Sequence, residues 1–147
     1  MYDIEEFDKQ KTKVLKYVLY KKRTEREIRQ KFEDIDEESL DEIIENLKEN
    51  GYVDDLRYIE RAINEFKALK HLSLKELQYK LLAKGLSKSD IENYLYAHND
   101  ELNEYELNSG KYLYFKKLAL MEKEEVLNYL RKKGYKEETI RSLQEDE

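Results

Sequence analysis

The stretch Thr24-Glu25-Arg26-Glu27-Ile28-Arg29-Gln30-Lys31-Phe32 decides the fold, because its skeleton returns at a fixed distance. Thr24-x-x-Glu27-Ile28-x-x-x-Phe32 recurs 49 residues later as Ser73-x-x-Glu76-Leu77-x-x-x-Leu81, and again as Glu122-x-x-Glu125-Val126-x-x-x-Leu130. The same offset relates Tyr17, Phe66 and Phe115 upstream, and Tyr20, Leu69 and Leu118. Three similar units therefore make up the 147 residues, at 9–50, 51–99 and 100–147. A unit of that size cannot bury enough apolar surface alone, so neighbouring units are expected to share apolar faces. Function in such an array resides in an extended surface more than in one pocket.

Composition fixes the class of element. Proline is absent and there are only four glycines, which argues against tight-turned sheets and for an all-α array. Each unit reads as three helices. The first presents Val14, Tyr17 and Val18 in unit one, Ile59, Ala62, Ile63, Phe66 and Leu69 in unit two, and Tyr112, Phe115 and Leu118 in unit three. The second starts at the repeated motif, where Thr24 with Glu27 and Ser73 with Glu76 are capping boxes. Glu122 stands in the third cap position, so that box is degraded. The third helix is clearest as Leu40, Ile43, Ile44 and Leu47, with Ile91 and Ile140 as counterparts. Gly51, Gly85 and Gly134 suit the left-handed residue that closes a helix. Gly110 falls inside the first helix of unit three and predicts a late start or a bend there. The polar stretch 99–110 is read as a flexible joint between units two and three.

Charge is patterned beneath a net −6: residues 9–32 hold ten basic and two acidic side chains, and residues 33–60 two basic and twelve acidic. The pattern fits a solvated helical surface laced with i,i+4 pairs, and equally an array with basic helices on one side and acidic helices on the other. A helix-turn-helix reading of residues 73–97 fails on charge, since the third helix of unit one carries seven acids and one lysine between 36 and 49. There is no cysteine, no phosphate loop and no catalytic constellation, so no enzyme, cofactor or metal is expected. His71 and His98 have no partner that would make either a base or a ligand. Gly51-Tyr52-Val53-Asp54-Asp55-x-Arg57-Tyr58 reads as a helix stop followed by a start, with Asp54 or Asp55 as cap, and not as a metal site. Acidic residues at the start and the lack of a long apolar run predict a cytoplasmic protein without a membrane span.

Taken in order, three segments resemble the RecX family of bacterial recombinase regulators. They are Gly51-Tyr52-Val53-Asp54-Asp55-x-Arg57-Tyr58, Ser73-Leu74-x-Glu76-Leu77…Leu81-x-x-Lys84-Gly85, and Tyr129-Leu130-Arg131-Lys132-Lys133-Gly134-Tyr135 followed by Ile140. Lys116-Lys117 falls where that family carries a basic doublet. The resemblance covers roughly residues 9–145 and implies three tandem three-helix repeats stacked into an elongated, curved body. It implies a non-enzymatic monomer that binds the RecA recombinase filament and restrains its ATP turnover, strand exchange and co-protease action in DNA repair, recombination and the SOS response. The acidic balance departs from basic relatives that bind DNA unaided. Direct contact with single- or double-stranded DNA through basic helices is the competing reading. Either partner would meet Lys67, Lys70, Lys75, Lys80, Lys84, Lys116, Lys117, Arg131, Lys132 and Lys133, while Gly51, Tyr52, Asp54, Asp55, Arg57, Gly85 and Gly134 are assigned to folding.

Overall fold

Helix starts and stops written locally in the chain are realised almost one for one. A computed structural model describes residues 3–145, which hold nine helices and no strand. They are α1 (Ile4–Tyr20), α2 (Glu25–Lys31), α3 (Glu37–Glu49), α4 (Asp55–Leu69), α5 (Leu74–Ala83), α6 (Lys88–Ala97), α7 (Asn99–Leu118), α8 (Lys123–Lys133) and α9 (Glu137–Glu145). Thr24 and Glu27 form the reciprocal capping box on α2. On α5, Ser73 Oγ accepts from Glu76 N at 3.1 Å and Ser73 N donates to Glu76 Oε1 at 3.0 Å. Asp36 and Ser87 cap α3 and α6 through one bond each, accepting from Ser39 N and Asp90 N, whereas Glu122 makes no side-chain cap bond. Gly51, Gly85 and Gly134 all sit at positive φ, where an L side chain is strained.

The chain packs as two compact units. The first holds the described residues up to Ile59 together with Lys84–Leu86. Its core is Val14, Val18, Ile28, Leu40, Ile43, Ile44, Leu47 and Val53, joined by Phe7, Leu15, Tyr17 and Phe32. The α3 stripe expected from spacing is buried throughout. The second unit holds Glu60–Ala83 and the described residues from Ser87 onward. One of its cores joins Tyr114, Val126, Leu127, Leu130, Tyr135, Ile140 and Leu143.

The adjacent acids take separate tasks. Asp54 caps α4 by accepting from Arg57 N at 3.1 Å, while Asp55 accepts from Glu25 N at 3.1 Å and so serves an orphan donor of α2. Replacing Asp54 by Ala is expected to cost about 1 kcal/mol of unfolding free energy. A urea midpoint identical to the parent's would contradict that assignment.

Two expectations fail on α7. Residues 99–110 are helical and not a joint, and Gly110 does not delay the helix. Asn99–Leu118 is one 20-residue helix, separated from α6 only by His98. Its inward face is Leu102, Glu106, Ser109, Gly110 and Tyr114, which leaves Tyr112 and Phe115 about half exposed, at 47% and 49%. The polar members of that face can be buried because their polar atoms find partners. Glu106 accepts from Leu74 N at 3.4 Å and Thr139 Oγ1 at 3.2 Å and faces Lys136 Nζ at 3.4 Å, while Ser109 Oγ lies 2.7 Å from Tyr135 Oη. The outer apolar column divides: Tyr20 and Leu69 are 86% and 71% exposed, while Leu118 is partly buried against the core of the second unit.

Candidate interaction surface

The C-terminal half of α7 and α8, both in the second unit, bring exposed Tyr112, Phe115 and Lys116 together with half-buried Lys117, Tyr129 and Lys133. Tyr129 is the centre of one group, with Lys117 Nζ 5.0 Å and Lys133 Nζ 5.6 Å from its ring centroid. Tyr112 is the centre of the other. His71 stacks on it at 3.7 Å between centroids with 11° between planes, and Lys116 Nζ lies 5.5 Å from the ring. Phe115 follows Tyr112 on the same helical face and meets buried Tyr114 edge-on at 5.2 Å. Lys133 also pairs with Glu76, so Lys116 and Lys117, held over rings without an ion pair among the described residues, are the cations that keep their charge for an external anion.

The ten lysines and arginines named from sequence separate into two kinds. Lys67 is paired with Glu101, Lys84 with Glu27 at 3.8 Å, Lys133 with Glu76 at 3.1 Å, and Arg131 with Glu137 at 2.8 Å. Hydrogen bonding from Lys67 holds the Glu101 carboxyl below its ordinary range. Lys70, Lys75, Lys80, Lys116, Lys117 and Lys132 make no ion pair among the described residues. Lys116 and Lys117 are the pair that the fold brings beside aromatic rings. Lys84 belongs to the first unit and the other nine to the second.

Tyr112, Tyr129, Phe115 and His71 escape a sequence reading that looks for charge. A usable signal is present: Tyr112–Lys116 and Tyr129–Lys133 are both aromatic–lysine pairs at i,i+4, which share a helix face. The platform beneath them is stiffened by Tyr105, whose hydroxyl donates to Lys70 O at 2.7 Å and accepts from Leu72 N at 3.0 Å. Burial pushes the phenols of Tyr105 and Tyr135 upward, so both remain protonated donors at neutral pH. Among the described residues no group of three His, Cys, Asp or Glu is arranged to hold a metal ion. None of the helices they form is long and apolar enough to cross a membrane.

No protein-family model matches the chain. Curated relatives do. A protein named regulatory protein RecX from Staphylococcus carnosus is 30% identical over 131 residues, which is 86% of this chain and 49% of the relative. The regulatory protein RecX of Streptococcus pneumoniae strain Hungary19A-6 is 37% identical over 95 residues, or 63% of this chain and 37% of the relative. The chain thus spans about half the length of these relatives, or less. Among solved structures, RecX from Lactobacillus salivarius superposes with a TM-score of 0.84 at 22% identity, covering 97% of this chain and 96% of that one. A second crystal structure, of a regulatory protein RecX, gives 0.80 at 22% identity over 95% and 73% of the two chains. In sequence over most of its own length and in its all-helical fold, the chain is a relative of the RecX regulatory proteins.

Proposed function

We propose that this protein is a non-enzymatic cytoplasmic regulator that binds the RecA–DNA filament as a monomer and restrains ATP turnover, strand exchange and co-protease action. The observation that carries the proposal is the un-neutralised cation–aromatic surface of α7 and α8 in a relative of proteins named as regulators. Aromatic side chains beside cations are the usual energetic centres of a protein interface, and a nucleoprotein filament offers both protein and phosphate to meet them. The three repeats at 9–50, 51–99 and 100–147 serve as successive modules. Each engaged module raises the effective concentration of the next on a polymeric partner.

Lys116→Glu with Lys117→Glu tests the surface. Lys116 is exposed and Lys117 half-buried, and neither makes an ion pair among the described residues, so the variant should keep its melting profile. Its cosedimentation with RecA filaments on single-stranded DNA should fall about tenfold or more, as expected for loss of hot-spot contacts. Unchanged cosedimentation would remove α7 from the interface. A second reading, direct nucleic-acid binding, is favoured by the stacking of cations on Tyr112 and Tyr129, an arrangement also used to hold single strands. Retardation of DNA by this surface without recombinase would favour it.

A further inference from the structure

Two rows of opposite charge lie on neighbouring helices of the first unit, and the reading above uses neither. On α1 the row is Lys9, Lys13, Lys16 and Tyr20, and on α3 it is Glu38, Glu42, Glu45 and Glu49. All of these side chains are exposed, and α1 and α3 pack on each other. Both rows follow the same i, i+4, i+7, i+11 course, so each holds one face of its helix over about 17 Å at ~1.5 Å per residue. The gaps of four, three and four read the same in either direction. The rows therefore match whether the two helices run parallel or antiparallel.

The fold consumes other charges of this unit and leaves these over. Arg29 pairs with Glu25 at 3.1 Å and Asp41 at 2.7 Å, and Lys48 with Glu25 at 2.5 Å. Lys9, Lys13, Lys16, Glu38, Glu45 and Glu49 make no ion pair among the described residues. Folding does not demand the lysines, since the equivalent positions of α4 are Tyr58, Ala62, Glu65 and Leu69. Like charges at i,i+3 and i,i+4 repel, so each row burdens its own helix until an opposite row faces it.

We propose that a second copy of this chain supplies the opposite row, in a two-fold pair in which α1 of each copy lies on α3 of the other. Rows of both signs on packed helices select against a partner of one sign. A polyanion drawn to the lysines meets repulsion from the neighbouring carboxylates, and a polycation meets the reverse. The chain itself carries the complement at the same spacing, and a two-fold axis uses each row once, as an isologous interface requires. Tyr20, in the fourth place, brings a hydroxyl to the fourth carboxylate. Two seams about 17 Å long and ~10 Å wide fall below the area of a standard interface, and exposed ion pairs are individually weak. The pair is accordingly transient and salt-sensitive. It forms in the free protein, does not depend on the proposed action on RecA, and opens to the monomer that acts there.

The test is sedimentation equilibrium of the full chain from about 10 µM to about 1 mM, at about 50 mM and about 300 mM salt. At low salt the apparent mass should climb toward twice that of the chain and stop there. High salt should weaken the association at least about tenfold. Charge reversal of Lys9, Lys13 and Lys16 together should leave a monomer, as should Glu38→Lys with Glu45→Lys and Glu49→Lys. Mixing the two reversed proteins should restore a pair, because each row again meets its opposite, and that restoration also shows both variants to be folded. Glu104→Lys with Glu124→Lys and Glu138→Lys, at exposed acids of the second unit, gives a mixing partner of equal net charge that should not restore it. A parent that stays monomeric at low salt overturns the proposal, and an oligonucleotide captured by that monomer's lysine row would assign the row to nucleic acid instead. Growth past twice the chain mass overturns the two-fold pair. So does association that survives either reversal, or that the second-unit control restores equally well.

Discussion

Gly85→Ala should lower the unfolding free energy by about 3 kcal/mol or more, whereas Gly51→Ala should cost about 1 kcal/mol. Both residues close a helix at positive φ, +90° and +76°, so both variants bear the left-handed backbone penalty of an L residue. Their surroundings differ. A Cβ at Gly51 meets nothing within 4 Å. One at Gly85 would come 2.3 Å from Arg26 Cδ and 2.4 Å from Arg26 Cβ. A flexible Arg tip could move aside, but Arg26 Cβ is fixed to the α2 backbone, so the helix itself has to shift. Gly134 should fall between, since its nearest approach is 2.8 Å, to Lys75 Cβ. Urea denaturation of the three single variants gives the order. Equal losses at Gly51 and Gly85 would mean that the close approach of Arg26 carries no weight.

The second large effect concerns hydroxyls that act twice. Ser73→Ala should cost about 2–4 kcal/mol, more than an ordinary cap. Ser73 Oγ accepts from Glu76 N at 3.1 Å and also donates to Lys133 O at 2.7 Å, and the side chain is fully buried. Removing it forfeits the cap, about 1 kcal/mol, and strands the Lys133 carbonyl without that donor. Thr24 repeats the arrangement in the first unit, with its hydroxyl on Lys84 O at 2.6 Å. Lys84 and Lys133 stand immediately before the two glycines, and each ammonium returns to the Glu of the opposite capping box. Ser87 is the control, an exposed cap on α6 with only its local bond to Asp90 N at 3.1 Å. A loss at Ser73 no greater than at Ser87 would show that the long-range bond is idle.

That pair of hydroxyls also explains how much could be read from the residues. The capping box spans three positions, so sequence displays it directly, and the same holds for the α3 stripe and the glycine stops. The second bond of Ser73 spans sixty residues, and only the fold discloses it. On α7 the difficulty was chemical. Glu106 and Ser109 look like solvent-facing residues because apolar periodicity takes no account of a buried polar atom whose partners are distant in sequence. Charge counting likewise treats Lys67 and Lys116 alike, although one is neutralised by Glu101 and the other rests on Tyr112. The third copy of the cap is instructive in the other direction. Glu122 lacks a hydroxyl and makes no side-chain cap bond, as its residue type implied.

The proposed function is an effect upon RecA, and the direct measurement is single-stranded-DNA-dependent ATP hydrolysis by RecA titrated with this protein at physiological salt. Suppression at amounts well below one per recombinase subunit is the predicted result, because a chain of modules on a filament acts beyond the subunit it first touches. Hydrolysis unchanged at an excess of this protein over recombinase would contradict the proposed function.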